Sequence, residues 1–268
     1  MDQPFTVTRL PHGVTMISDP AVHCFLVEGT RRAVLIDAMT GLRGLAALLP
    51  ALTSLPVEVV DSHGLIDHIG GVFELGGCAL HPADAGLLDG QSLPARVAFM
   101  EDWTRRPWPR TAFVPDRPVN LRPLADGDTF DLGGRRLEVI GVPGHTRGSV
   151  CLLDPDSGDF FAGDACNDST LLVMPNSTPV SEYLAALERL KTRQAQITSF
   201  YVFHGPTPVD KSCIDDNIQN CKDILAGTDD HIPTLHHGHW YYLAKERERE
   251  IFRRKDGKFG NILYARAR

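Results

Sequence analysis

The chain lacks most of the features that would let composition alone assign a function. Its six cysteines (Cys24, Cys78, Cys151, Cys166, Cys213 and Cys221) include no Cys-x-x-Cys pair. That argues against a cysteine-ligated zinc site or a disulfide framework, and for a reducing compartment. No apolar run reaches the roughly 18 residues of a membrane span. Residues 1–11 carry Asp2 and Pro4 and no apolar signal core, so secretion by that route is not expected and the cytoplasm is the expected location. An excess of positive charge is also missing, with 27 Lys and Arg against 34 Asp and Glu, a net charge of −7. Nucleic acid, which needs a basic surface, is therefore not an expected partner. The basic stretch 245–255 is interleaved with Glu246, Glu248 and Glu250 and reads as a solvated face.

What is present is an ordinary globular composition. Of 268 residues, 43% are hydrophobic and 23% charged, enough for one large domain or two small ones with a sizeable core. Apolar, β-rich runs at 24–27 and 33–36 flank Glu28-Gly29-Thr30, which has hairpin character. Residues 41–49 predict a helix stopped by Pro50, and 57–60 a short strand. A helix is expected over 68–75 and a strand over 78–80. Further strands are expected at 129–132, 136–141, 149–153, 160–162 and 200–203. Helices are expected over 180–191, with Ser181 as its cap, over 211–225, stopped by Gly227, and over 241–250. Alternating strands and helices imply a layered α/β architecture. Residues 82–119 break the rhythm with Phe99, Trp103, Trp108 and Phe113 among prolines and arginines. Two readings stay open for them, a surface excursion with its own apolar cluster and a lid over a site.

The chemistry concentrates at four strand ends. Residues 62–71 place three metal-capable side chains, His63, Asp67 and His68, within six positions ahead of the pair Gly70-Gly71. Imidazole and carboxylate suit zinc, iron or manganese. His145 follows in Val-Pro-Gly-His-Thr, Asp164 in Phe-Ala-Gly-Asp-Ala, and His204 in Phe-His-Gly-Pro. Strands fix such residues, and glycine lets the backbone turn closely behind an ion. A lone His after a strand is more often packed than ligating, but all four junctions recur in one order. Three further imidazoles, His236, His237 and His239, could supply a ligand or a proton, or could sit in a polar surface loop. Cys166 reads as a buried, inert thiol.

This ordered set resembles the metallo-β-lactamase fold superfamily, whose signature is His-x-His-x-Asp-His followed by a separate His, an Asp and a final His. The resemblance covers roughly 14–210 and includes Leu-Ile-Asp at 35–37 and Gly-Asp at 163–164. It implies an αββα sandwich of two mixed β-sheets flanked by helices. The whole of 1–268 would form a single such domain, with the excursion at 82–119 and a C-terminal extension at 211–268.

The resemblance further implies two metal positions. His63 and His145 would serve the first, and Asp67, His68 and His204 the second, with Asp164 bridging. Leu65 stands where the family has its middle histidine, and a leucine cannot coordinate a cation. The expectation is a divalent metal, zinc first with iron or manganese as alternatives. One or two ions are open, and one ion at the second position is favoured. Asp37 is implied as a hydrogen-bonding support of the metal loops, with Ala38 and Met39 replacing the family's Thr-Gly after it.

The implied activity is hydrolysis of a small carbonyl substrate (an ester, thioester, lactone or amide) by metal-activated water, with Asp67 orienting or accepting the proton. A lyase or isomerase on the same fold, or a metal-poor binding protein, are the alternatives. The expected partner is a small molecule, with neither nucleic acid nor membrane, and a homodimer is left open.

Overall fold

The central strands form where the sequence runs continuously apolar. In the computed structural model, which describes residues 4–248 and 254–265, the chain divides into two compact units, 1–138 with 203–205 and 139–202 with 206–268. The first holds β1 (Thr6–Leu10), β2 (Val14–Ser18), β3 (His23–Glu28), β4 (Ala33–Ile36), α1 (Leu45–Leu52), β5 (Val57–Val60), α2 (Ile66–Ile69), α3 (Val72–Leu75), β6 (Gly77–Leu80), α4 (Leu93–Thr104), β7 (Asn120–Pro123) and β8 (Thr129–Asp131). Strands β1 to β7 make one sheet in sequential order, antiparallel as far as β4 and parallel from β4 to β7. All of β4 and the centre of β3 are buried, as expected where both faces of a sheet are covered. The edge strand β1 is exposed and polar, which protects the sheet from edge-on pairing. Because β4 and β5 run parallel, the loops after them, with Asp37 and with His63, leave the sheet on the same side.

The second unit takes over within β9 (Arg136–Gly141), whose first residues pair with β8. It continues through β10 (Val150–Leu153), β11 (Asp159–Phe161), β12 (Thr170–Leu172), α5 (Val180–Lys191), β13 (Ser199–Tyr201), α6 (Cys213–Ala226), β14 (Ile232–His236), β15 (His239–Leu243) and β16 (Ile262–Tyr264). Here β9, β10, β11 and β13 form a mixed sheet in the order β13-β11-β10-β9, and a second mixed sheet runs β12-β16-β15-β14. Tyr183, Leu187 and Leu190, spaced for one helix face, bury α5 against a core that includes Phe160, Phe200 and Ile214. Gly144 packs so closely on Tyr183 that a Cβ there would lie 2.2 Å from the ring. Among the described residues no helix is long and apolar enough to cross a membrane.

Several elements differ from the sequence reading. Pro50 lies inside α1 instead of ending it, and the helix runs on to cap at Thr53. Its burial of Leu45 and Leu49 outweighs the one backbone donor lost. The helix expected over 68–75 is two single turns, α2 and α3, interrupted at Gly70-Gly71. Their backbone lies against Thr40 and Ala38, where a Cβ would come within 2.5 and 2.2 Å. Ser181 lies inside α5, whose cap position is Pro179. The helix expected over 241–250 is overturned by β15, paired with β14 through Leu235↔Trp240 and Thr234↔Tyr241, while residues 249–253 lie outside the described residues. The excursion contains a twelve-residue helix, α4, that periodicity did not announce.

Candidate metal centre

Three donor atoms of the first unit converge. The Nε2 atoms of His68 and His204 stand 3.3 Å apart, and an Asp67 carboxylate oxygen lies 3.2 Å from His204 Nε2 and 3.7 Å from His68 Nε2. His68 and Asp67 are adjacent on α2, and His204 follows β13.

Hydrogen bonds at the far side of each ring fix which nitrogen faces the cluster. His204 Nδ1 donates to the Ala21 carbonyl at 2.9 Å, and His68 Nδ1 donates to Asp37 at 2.6 Å. A neutral imidazole that donates through Nδ1 carries its lone pair on Nε2. The cluster therefore brings two lone pairs and a carboxylate within van der Waals distance, an arrangement that repels itself unless a cation or a shared proton lies between them. A tetrahedral ion with bonds of about 2.0–2.1 Å separates its ligands by about 3.3–3.4 Å. The residues present fit such an ion.

The support beneath this cluster is extensive. Asp37, fully buried, also accepts from the Ser62 backbone N–H at 2.6 Å and from Ser62 Oγ at 2.8 Å. To aim its carboxylate there, the backbone leaves β4 with positive φ at Asp37 (64°) and Met39 (59°), conformations that non-glycine residues hold only under constraint. Met39 itself is buried and fills the core. Ser62 Oγ, having given its proton to Asp37, accepts from His63 Nδ1 at 3.1 Å. His63 thus also carries its lone pair on Nε2, and its ring lies 4.1 Å from that of His68. The Ala21 carbonyl is held by Asp19, which accepts from the backbone N–H groups of Ala21 and Val22 and from the Thr40 hydroxyl. His23 clamps the loop after His204 by donating Nε2–H to the Gly205 carbonyl at 2.9 Å, and burial holds its basicity below the ordinary imidazole value. Asp19, Ala21 and Ser62 were not legible as site residues. A lone Asp before Pro20 reads as a turn, and a backbone carbonyl leaves no sequence signal.

The excursion packs directly against the metal loop. Gly64 N–H donates to Asp84 at 3.0 Å, and Gln91 Nε2 donates to the Gly64 carbonyl at 3.1 Å. From α4 the Trp103 ring reaches within 5.4 Å of the His204 ring.

Asp61, just before the loop, is fully buried. Burial first, and then the neighbouring Asp37, push its carboxyl well above the usual carboxylate range. Raised in the fold, this group favours the protonated folded state, so its contribution is greatest below about pH 4 and is lost as pH rises towards the folded pKa. Asp61→Asn needs no proton. Its stability relative to wild type should climb between pH 5 and pH 8, by at most about 1.4 kcal/mol per pH unit. Urea unfolding at several pH values measures this, and a pH-independent difference would refute it.

In the second unit, His145 Nδ1 donates to the Leu171 carbonyl at 2.9 Å, again leaving Nε2 as the acceptor, and Nε2 lies 3.7 Å from Asp164. Asn167 Nδ2 donates to Asp164 at 3.3 Å. All six cysteines are buried and free, and Cys166 lies beside Asn217 and Cys213. His236, His237 and His239 occupy the tip of the β14–β15 hairpin, with the first two rings 4.2 Å apart. The donor clusters among the described residues do not include them.

A family model described as the metallo-beta-lactamase superfamily matches residues 18–200. The chain belongs to this superfamily. Its mixed sheets flanked by helices are those of the superfamily's α/β sandwich, as the motif implied. Superfamily members use divalent metals, and donor groups suited to them are present. The acyl-coenzyme A thioesterase MBLAC2 of Gallus gallus is 36% identical over 183 residues, 62% of this chain and 65% of that protein. The chain thus spans just under two thirds of that curated relative. The crystal structure of TTHA1623 in a di-iron-bound form is 27% identical, with a TM-score of 0.52 over 70% of this chain and 89% of that one. A metallo-beta-lactamase from Pontibacter korlensis shares the fold at 20% identity, with a TM-score of 0.59 over 82% and 99% of the two chains.

Proposed function

We propose that the protein is a metal-dependent hydrolase of a small thioester, an acyl-coenzyme A being the substrate class its curated relative's name suggests. One observation carries the metal part. Each of the four motif histidines, His63, His68, His145 and His204, gives its Nδ1–H to an oxygen acceptor and keeps Nε2 as the ligating atom. Asp67, His68 and His204 would hold one divalent ion, zinc, iron or manganese. That ion would supply Lewis-acid polarisation of the thioester carbonyl and a water nucleophile at neutral pH.

The protein's own residues do the rest. Asp37 and Ala21 hold the two imidazoles against rotation, so the site needs little reorganisation as charge develops. Asp67, partly open to solvent beside both imidazoles, would orient water and take its proton. Six free thiols suit a cytoplasmic enzyme.

The test is hydrolysis of acetyl- and octanoyl-coenzyme A by protein purified without chelator, with metal content measured in parallel. About one equivalent of metal per chain is expected, with turnover lost on chelation and restored by added zinc, iron or manganese. Turnover by metal-free protein would sink the metal mechanism, and no turnover of any thioester the substrate class. Leu65→His checks the mononuclear part, since metal content should then rise towards two equivalents. A value still near one would mean that Leu65 is not what limits it.

A further inference from the structure

Beside the partly exposed His204 of the metal cluster stands a side chain that the mechanism does not use. Trp103, near the C-terminal end of α4, is 46% exposed, while its ring centroid lies 5.4 Å from that of His204. One helical turn earlier on the same face, Phe99 stacks against it, with centroids 5.9 Å apart and planes inclined by 21°. The other tryptophan of this segment behaves differently. Trp108 is half-buried, donates its indole N–H to Thr104 at 2.8 Å, lies under Arg106 and meets Phe113 edge-on. That indole has packing to account for it, and Trp103 has an uncovered apolar face.

The face is also firmly placed. The helix beneath is fixed by the buried Arg96, Val97 and Met100. His204 and Asp67 are the partly exposed donors of the cluster, so a substrate carbonyl must approach from the solvent side on which those two open. An aromatic pair beside that approach offers an acyl chain a surface that takes apolar area out of water.

We propose that Phe99 and Trp103 form the acyl-chain subsite and make the enzyme select apolar acyl groups of several carbons over acetyl. The proposal rests on the thioesterase reading. A chain lying along the exposed indole covers about 60–80 Å² of apolar surface, which corresponds to about a 10- to 30-fold gain in kcat/KM.

The experiment compares wild type, Trp103→Ala and Trp103→Phe on octanoyl- and acetyl-coenzyme A, with metal content and Tm measured for each. In Trp103→Ala the octanoyl-to-acetyl ratio of kcat/KM should fall about 10- to 30-fold, mainly through KM for octanoyl-coenzyme A. Trp103→Phe should recover most of the ratio, and bound metal should stay unchanged. An unchanged ratio, including a uniform fall on both substrates, would overturn the proposal. It would show that the ring contacts the coenzyme or only supports His204. Binding of octanoate by calorimetry separates the proposal from the reading beneath it. If no thioester is turned over but Trp103→Ala weakens octanoate binding about 10-fold or more, the apolar subsite stands while the thioesterase reading fails. Equal octanoate binding by wild type and variant overturns the subsite in either case.

Discussion

Alanine at Asp67 or at His204 is expected to strip the protein of its metal and to lower thioester turnover by about a thousandfold or more. Each substitution removes one of three donors that lie 3.2 to 3.7 Å apart. The neighbouring Asp37 is not free to replace it. Asp37 already accepts from Ser62 twice and from His68. Two imidazoles alone hold a divalent ion far less tightly than a set with a carboxylate, because the anionic ligand offsets the ion's charge in a poorly hydrated site. The fold should survive in both variants, since Asp67 and His204 are partly exposed and neither side chain fills the core. Metal analysis of dialysed protein, with circular dichroism as the control for folding, measures the outcome. Full metal content in both variants would place the ion elsewhere.

The donors were legible because they are local and typed. His63, Asp67 and His68 fall within six residues, and each later member follows an apolar run next to glycine. Their orienting partners were less so. Asp37 was implied through the family motif. Ser62, Asp19 and the Ala21 carbonyl reach Asp37, Thr40 and His204 across separations that only the folded chain brings together. The β14–β15 hairpin was misread because charge alternation after Trp240 imitates a helix surface, whereas cross-strand pairing decides the conformation. Helix α4 escaped for a different reason. Its buried face contains an arginine, and a pattern search counts arginine as surface.

That arginine carries the second large effect. Arg96→Ala is expected to destabilise the protein by about 3–5 kcal/mol. The guanidinium is completely buried. It donates to the Gln91 carbonyl at 3.0 Å, to the Val114 carbonyl at 2.9 Å and to Asp116 at 2.6 Å, and lies 4.7 Å from the centre of the Phe73 ring. Burial lowers its pKa while Asp116 opposes the shift. One side chain thus joins the start of α4, the strand-like segment after Phe113 and the turn at Gln91 that bonds to Gly64 of the metal loop. Truncation leaves a cavity, orphans two buried carbonyls and removes the partner of Asp116 together. Arg96→Met fills most of the cavity without restoring the hydrogen bonds, so it should recover only the packing share of the loss. Lysine should do little better, because a single ammonium cannot span the positions that the planar fork reaches. Urea unfolding of the three variants separates these contributions. Near-equal stability of Arg96→Met and wild type would mean that the hydrogen bonds add nothing beyond filling the space. If α4 instead loosens while the sheet stays folded, exchange of the amides over 93–104 will rise ahead of global unfolding. The octanoyl preference assigned to Trp103 should then fall in Arg96→Ala although the metal donors are untouched.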